Sequence, residues 1–315
     1  MPQRWLHPDH ILWKIGDWEV RRPLKEALLD VLSDHLKYTF GKPWANAQYA
    51  LPVEDRHAVM RWWFGVCDAS KKAAPPNHVR GQIFPVPRTG DVTEFGWLAD
   101  DLYRLRLAGA LDPTVLDRLR SHDQFQGARY EFAIAASLVR CGFGIKWIHG
   151  TDKHCEFEAT QALTNETIAV EVKSRHVRGT LNQPGEMPKP EEMRFVAHRY
   201  YNEALRQCPT DKPSAIFIDL NLPPQAGAGD HGIPWWSEMQ RMFDSLPQPS
   251  PTEPAVETCL VLTNFAAHYA GSEQAPPRRY VFWFPQYVRH PLKNVNTFIA
   301  LIRGIETYGQ IPMIE

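Results

Sequence analysis

The sequence predicts an α/β protein: a three-layer, mixed-sheet core over residues 119–315, preceded by a mainly helical region, residues 1–118. Three observations carry this. Apolar residues in the first third recur at helical spacing. From about Asp123 the pattern becomes helix, strand, strand, strand, helix, strand, which supplies helices for both faces of a sheet. The stretch TIAVEVKSRH, residues 167–176, puts Ile168, Val170 and Val172 on one side of an extended chain, as a strand facing a core requires.

In order, residues 22–37 and 54–67 are predicted helices, and 71–89 is a connector containing Pro, Lys and Arg. Residues 90–109 read as one helix and 112–121 as another, with Asp112 as N-cap and Pro113 in the first helical position. A helix over 126–140 is stopped by Gly142 and Gly144 and leads to strands at 145–148 and 155–159. A polar turn at 164–166 precedes the 167–176 strand. A helix at 190–207, a strand at 214–222, a helix at 235–245, strands at 259–265 and 279–285 and a helix at 296–307 complete the chain.

Composition bounds the function. With 43% hydrophobic residues, 23% charged and 11 Trp in 315 residues, the chain is long and apolar enough to fold on a substantial core. A formal net charge of -1 excludes a globally basic nucleic-acid binder and leaves only a local basic patch. The five Cys, at 67, 141, 155, 208 and 259, have neither CxxC nor zinc spacing, as expected of a reducing compartment. The first twenty residues lack an apolar leader, and the best apolar run, 132–139, is too short to span a bilayer. A cytoplasmic protein with no membrane partner is expected.

The chemistry concentrates at the end of the 167–176 strand. Glu171 and Lys173 point to the same side, and Arg175, His176 and Arg178 follow. A surface ion pair of this kind is worth only about 0–1 kcal/mol, so stability alone does not account for it. The plain alternative is two charges on a solvated sheet face.

A helix bearing Glu131, a strand with Glu156 followed by an apolar residue, and a strand ending Glu171-x-Lys173 together resemble the PD-(D/E)xK nuclease superfamily, with its restriction-endonuclease-like fold. The similarity covers residues 127–222, and departs from the family in having Glu where Asp is usual at 156 and no Pro before it. The resemblance implies a nuclease that hydrolyses nucleic-acid phosphodiesters, DNA in preference to RNA, with Mg²⁺ or Mn²⁺ and a role in restriction or phage defence. It implies metal ligation by Glu156 and Glu171 with Glu158 competing, charge stabilisation at the phosphate by Lys173, and water orientation or a second metal contact by Glu131. Glu131 can equally be an ordinary solvent-facing helix residue. Of the acidic residues near 156, Asp152 lies in a turn that favours Asp for local reasons. Glu158, one strand-step beyond Glu156, is expected to meet a metal water or a basic side chain.

Arg175, His176 and Arg178 are candidate phosphate contacts. Arg194 and His198 join them on a polar helical stripe that includes Tyr201, for which a solvated face is the alternative. Cys155 is expected to be a buried small hydrophobe, and Trp235 and Trp236 core or partner surface. Residues 1–118 carry no nameable chemistry and are expected to select substrate or hold a partner, a second copy of the chain included. The rival class is a non-catalytic nucleic-acid-binding or scaffolding subunit that retains a nuclease-like core. A small-molecule acid–base enzyme lacks support, since the chain has neither a Gly-rich nucleotide loop nor a nucleophile elbow.

Overall fold

The computed structural model describes residues 3–24, 26–78, 83–150, 154–189, 192–193, 195–224 and 232–311. The chain opens on an antiparallel meander, β1 (Gln3–Leu6), β2 (His10–Ile15) and β3 (Trp18–Pro23), which the sequence reading did not anticipate. Ile15 pairs with Trp18 across a two-residue turn whose first member, Gly16, has φ +60, a conformation that glycine adopts without strain. Ile11, Trp13 and Ile15 alternate inward from β2.

Five helices follow: α1 (Leu28–Phe40), α2 (Lys42–Tyr49), α3 (Ala58–Ala73), α4 (Gly90–Leu107) and α5 (Pro113–Arg120). α5 begins as its sequence requires, with the Asp112 side chain accepting from the Val115 N–H and Pro113 in the first turn. α4 is the central element. Phe95, Leu98, Leu102 and Leu105 are at most 1% exposed and form one apolar stripe, while Glu94, Asp100 and Asp101 are buried on its other sides, so α4 is enclosed by its neighbours on most of its circumference.

The second part contains α6 (Phe125–Arg140), then β4 (Phe143–Trp147), β5 (Phe157–Gln161) and β6 (Thr167–Ser174), α7 (Ala197–Leu205), β7 (Ser214–Asp219), α8 (Trp236–Ser245), β8 (Cys259–Asn264), β9 (Arg279–Trp283) and α9 (Val295–Glu306). Its strands form one six-stranded sheet in chain order. β5 is antiparallel to both of its neighbours, β4 and β6; β6, β7 and β8 run parallel, and β9 is antiparallel to β8. The fold is therefore mixed α/β, with α6 on one sheet face and α7 and α8 on the other.

One apolar cluster runs from Ile11 to Tyr308 and includes the meander, α4, α6 and the α6-side face of the sheet. Residues 1–118 and 119–315 thus share a core. The junction also carries buried polar bonds, with the Arg129 guanidinium donating to Asp101 (2.8 Å) and to Tyr308 Oη (2.9 Å). A second cluster, built from Ile216, Ile218, Leu260 and Leu262 with α7 and α8, closes the opposite face. No helix among the described residues is long and apolar enough to cross a membrane.

Candidate active site at the end of strand β6

β6 carries Glu171 and Lys173 past the point where its neighbour β5 begins. Phe157 pairs with Val170, and the Glu156 N–H just before it donates to the Val170 carbonyl at 3.0 Å. Glu156 is thereby fixed across from Glu171, at the start of β5. Glu171, paired in register with Ile216, is fully buried, and Lys173 Nζ lies 2.6 Å from its Oε1. Neither Glu171 oxygen has a hydrogen bond of good geometry. Burial pushes the Glu171 carboxyl up to about 8 against the pull of Lys173, and Glu156 and Glu131 add to the rise.

Glu131 enters from α6, its side chain only 5% exposed. It is no solvent-facing helix residue. Burial first, then the charge of Glu156, push its carboxyl up, while Arg118 and Lys173 pull it down. Arg118, from α5, grips it with both terminal nitrogens, at 2.8 and 2.6 Å. Sequence reasoning missed Arg118, because a basic residue in the last turn of a short amphipathic helix looks like any other.

The loop after β6 is pinned to α6. The buried Gln126 amide accepts from the Val177 N–H (3.0 Å) and donates to the carbonyls of Val177 (2.9 Å) and Thr180 (2.7 Å). Asn221 donates to the Arg175 carbonyl at 2.9 Å. His176 and Arg178 are left exposed on this loop. An ideal Cβ at Gly127 would lie 3.7 Å from both Glu131 Oε1 and His176 Nε2 and 3.8 Å from Arg118 Nη2, so these three groups meet over a bare backbone.

Other expected site residues fall elsewhere. Glu158 takes the basic contact of its two alternatives: Lys212 donates to it at 2.7 Å and Lys146 lies 3.7 Å away. The helical stripe does not form as expected, because Tyr201 is buried and donates to Glu257 at 2.6 Å while His198 is exposed three residues earlier. α7 begins only at Ala197, after Val196 leaves the helical region of backbone space. Arg194 and Asp152 lie outside the described residues. Cys155 is buried, and Trp235 is core, stacked on Phe195.

Behind the strand end, on the α6 side, the carboxyl ends of β6 to β8 frame a cavity of about 30 Å³ lined by Ser174, Asp219, Glu94, Arg129 and His268, room for about two waters. Carboxyl ends of parallel strands are the usual place for ligands in open α/β sheets. Asp219 accepts from Thr263 Oγ1 (3.0 Å) and the Phe265 N–H (3.1 Å), and burial pushes it up to about 6.

Compared with protein-family models, curated proteins and solved structures, the chain matches none.

The acidic cluster can be tested for a cation. Buried carboxylate oxygens without hydrogen bonds call for an explanation, and hard oxygens held at low dielectric are what Mg²⁺ and Mn²⁺ prefer. Among the described residues, the one group of three metal-ligating side chains whose ligand atoms lie within 4.8 Å of one another is His7, Asp9 and His10, on the β1–β2 hairpin. Glu156, Glu158 and Glu171 do not form a closed three-ligand cage. Glu171 with Glu156 fits the looser Mg²⁺ pattern of one or two carboxylates completed by water and substrate oxygens.

Proposed function

We propose that the protein is a metal-dependent nuclease of restriction-endonuclease-like fold that hydrolyses nucleic-acid phosphodiesters, DNA in preference to RNA, in restriction or phage defence. The observation that carries the reading is Glu171: a fully buried carboxylate without well-formed hydrogen bonds, 2.6 Å from the ammonium of Lys173, at the carboxyl end of a strand. Burying such a group costs several kcal/mol, which the Lys173 ion pair offsets in part and a cation on the remaining oxygen would offset further. DNA and the defence role rest on family resemblance alone.

Glu171 and Glu156 would hold a divalent cation, which supplies Lewis acidity when bound. Lys173, about one-fifth exposed, is placed to turn its ammonium from Glu171 to a phosphate oxygen and stabilise the charge that gathers there. His176 and Arg178, exposed on the clamped loop, would bind flanking phosphates and set the register of the strand without reading its bases.

A second reading, a binding subunit with a nuclease-like core, is favoured by one observation: Arg118 occupies Glu131, and Lys212 and Lys146 occupy Glu158. Incubation with plasmid, linear duplex, single-stranded DNA and RNA separates the two. Nuclease function predicts cleavage with Mg²⁺ or Mn²⁺ that EDTA abolishes; binding without cleavage in any metal supports the second reading, and cleavage that survives EDTA contradicts the cation site.

A further inference from the structure

We infer that Arg118 is a phosphate contact of this site and that Glu131 is its positioning residue, not a ligand of the cation. The inference rests on the nuclease reading and departs from the role that resemblance gives Glu131. Both Glu131 oxygens already accept from the Arg118 fork, at 2.6 and 2.8 Å. A carboxylate so engaged has little left to offer a cation. The fork uses two of the five N–H donors of the guanidinium.

The two partners also differ in exposure. The Glu131 side chain is 5% exposed and the Arg118 side chain 33%, so the anion is anchored inside while the cation reaches solvent. That is the arrangement of a guanidinium held for an incoming ligand. Its surroundings identify the ligand. Arg118 and His176 converge over Gly127, where no side chain fills the space. Glu156 also acts electrostatically on Arg118, which ties it to the acidic cluster of β5 and β6.

The guanidinium N–H donors that Glu131 leaves unused, beside an imidazole, match a phosphate group, whose oxygens accept charge-assisted N–H bonds. Three carboxylates, Glu131, Glu156 and Glu171, repel a polyanion; Arg118 and Lys173 offset two of these charges, each paired with one of them. α5 belongs to the helical first part of the chain, so that part supplies a side chain to the site.

The test is the salt dependence of binding to a short fluorescent DNA duplex, measured in EDTA with the full chain. Each phosphate contact contributes about 0.9 to the slope of log K against log salt. Arg118→Met is expected to weaken binding and lower the slope by about one. Arg118→Lys should keep the slope while weakening affinity, since it retains the charge without the fork. Because Arg118→Met strands a buried carboxylate, the double variant Arg118→Met, Glu131→Met keeps the test valid if the single variant does not fold, and it should show the same loss of slope. An unchanged slope in a folded variant overturns the inference and leaves the nuclease reading intact. No binding of the duplex by the wild type in EDTA overturns the inference alone, and cleavage of the same duplex in Mg²⁺ decides the nuclease reading separately.

Discussion

Glu171 and Lys173 set the residue scale. If Lys173 stabilises charge at the phosphate, Lys173→Ala lowers the cleavage rate of the folded protein by roughly 10² or more, the scale for losing one preorganised electrostatic group, beside a fall in melting temperature from leaving the buried Glu171 without its ion-pair partner. Equal rates would return the pair to a structural role. The raised Glu171 carboxyl has a consequence for stability. Its folded value of about 8 lies above the ordinary carboxylate value of 4.5, so its contribution is full below pH 4.5 and is lost as pH rises through 8. In EDTA, the wild type should lose stability across that window and Glu171→Gln should lose less, as read from denaturant midpoints; parallel curves would show that Glu171 titrates normally. At this scale the sequence was legible where chemistry follows local spacing: two residues on one strand face announced Glu171 and Lys173. Arg118 was not, because its pairing with Glu131 joins two helices and leaves no local pattern.

Elements explain why the site is where it is. β6 was legible from its alternation, and α6 from its apolar spacing and the glycines that follow it. The β1–β3 meander was not, because strands of four to six residues give little period to read beside the stronger helical pattern that starts near residue 22. The predicted helix at 190–207 is shorter in the structure, and its Tyr201 faces the core, where a hydroxyl with a carboxylate partner is as well placed as an apolar ring. The start of α4 offers an element-scale test. A Cβ at Gly90 would lie 2.3 Å from the Ala267 carbonyl oxygen and 2.7 Å from the Gly271 nitrogen. Both are backbone atoms that cannot swing aside. Gly90→Ala is therefore expected to cost about 1–3 kcal/mol, the range for overpacking a filled site, read from chemical denaturation. A neutral effect would mean that α4 is free to shift at its start.

For the whole molecule, the shared core decides what can be separated. A length of 315 residues suits two units or one elaborated one; apolar packing from Ile11 to Tyr308 is continuous, and Asp101 of α4 bonds Arg129 and Tyr308 across residue 118. A fragment starting at Leu119 would bare the α4-facing side of α6 and strand the Arg129 charge. It should lack a cooperative melt, and a sharp transition would show that residues 119–315 fold alone. The central claim, that Glu171 and Glu156 hold a divalent cation, is tested most directly by titrating Mn²⁺ into the intact protein by calorimetry, with His7 and His10 replaced by Ala to silence the hairpin cluster. The protein is expected to bind Mn²⁺, with Glu171→Gln and Glu156→Gln each abolishing the binding and Glu158→Gln at most weakening it. Failure of the parent to bind, or undiminished binding in the Glu171 variant, would contradict the claim.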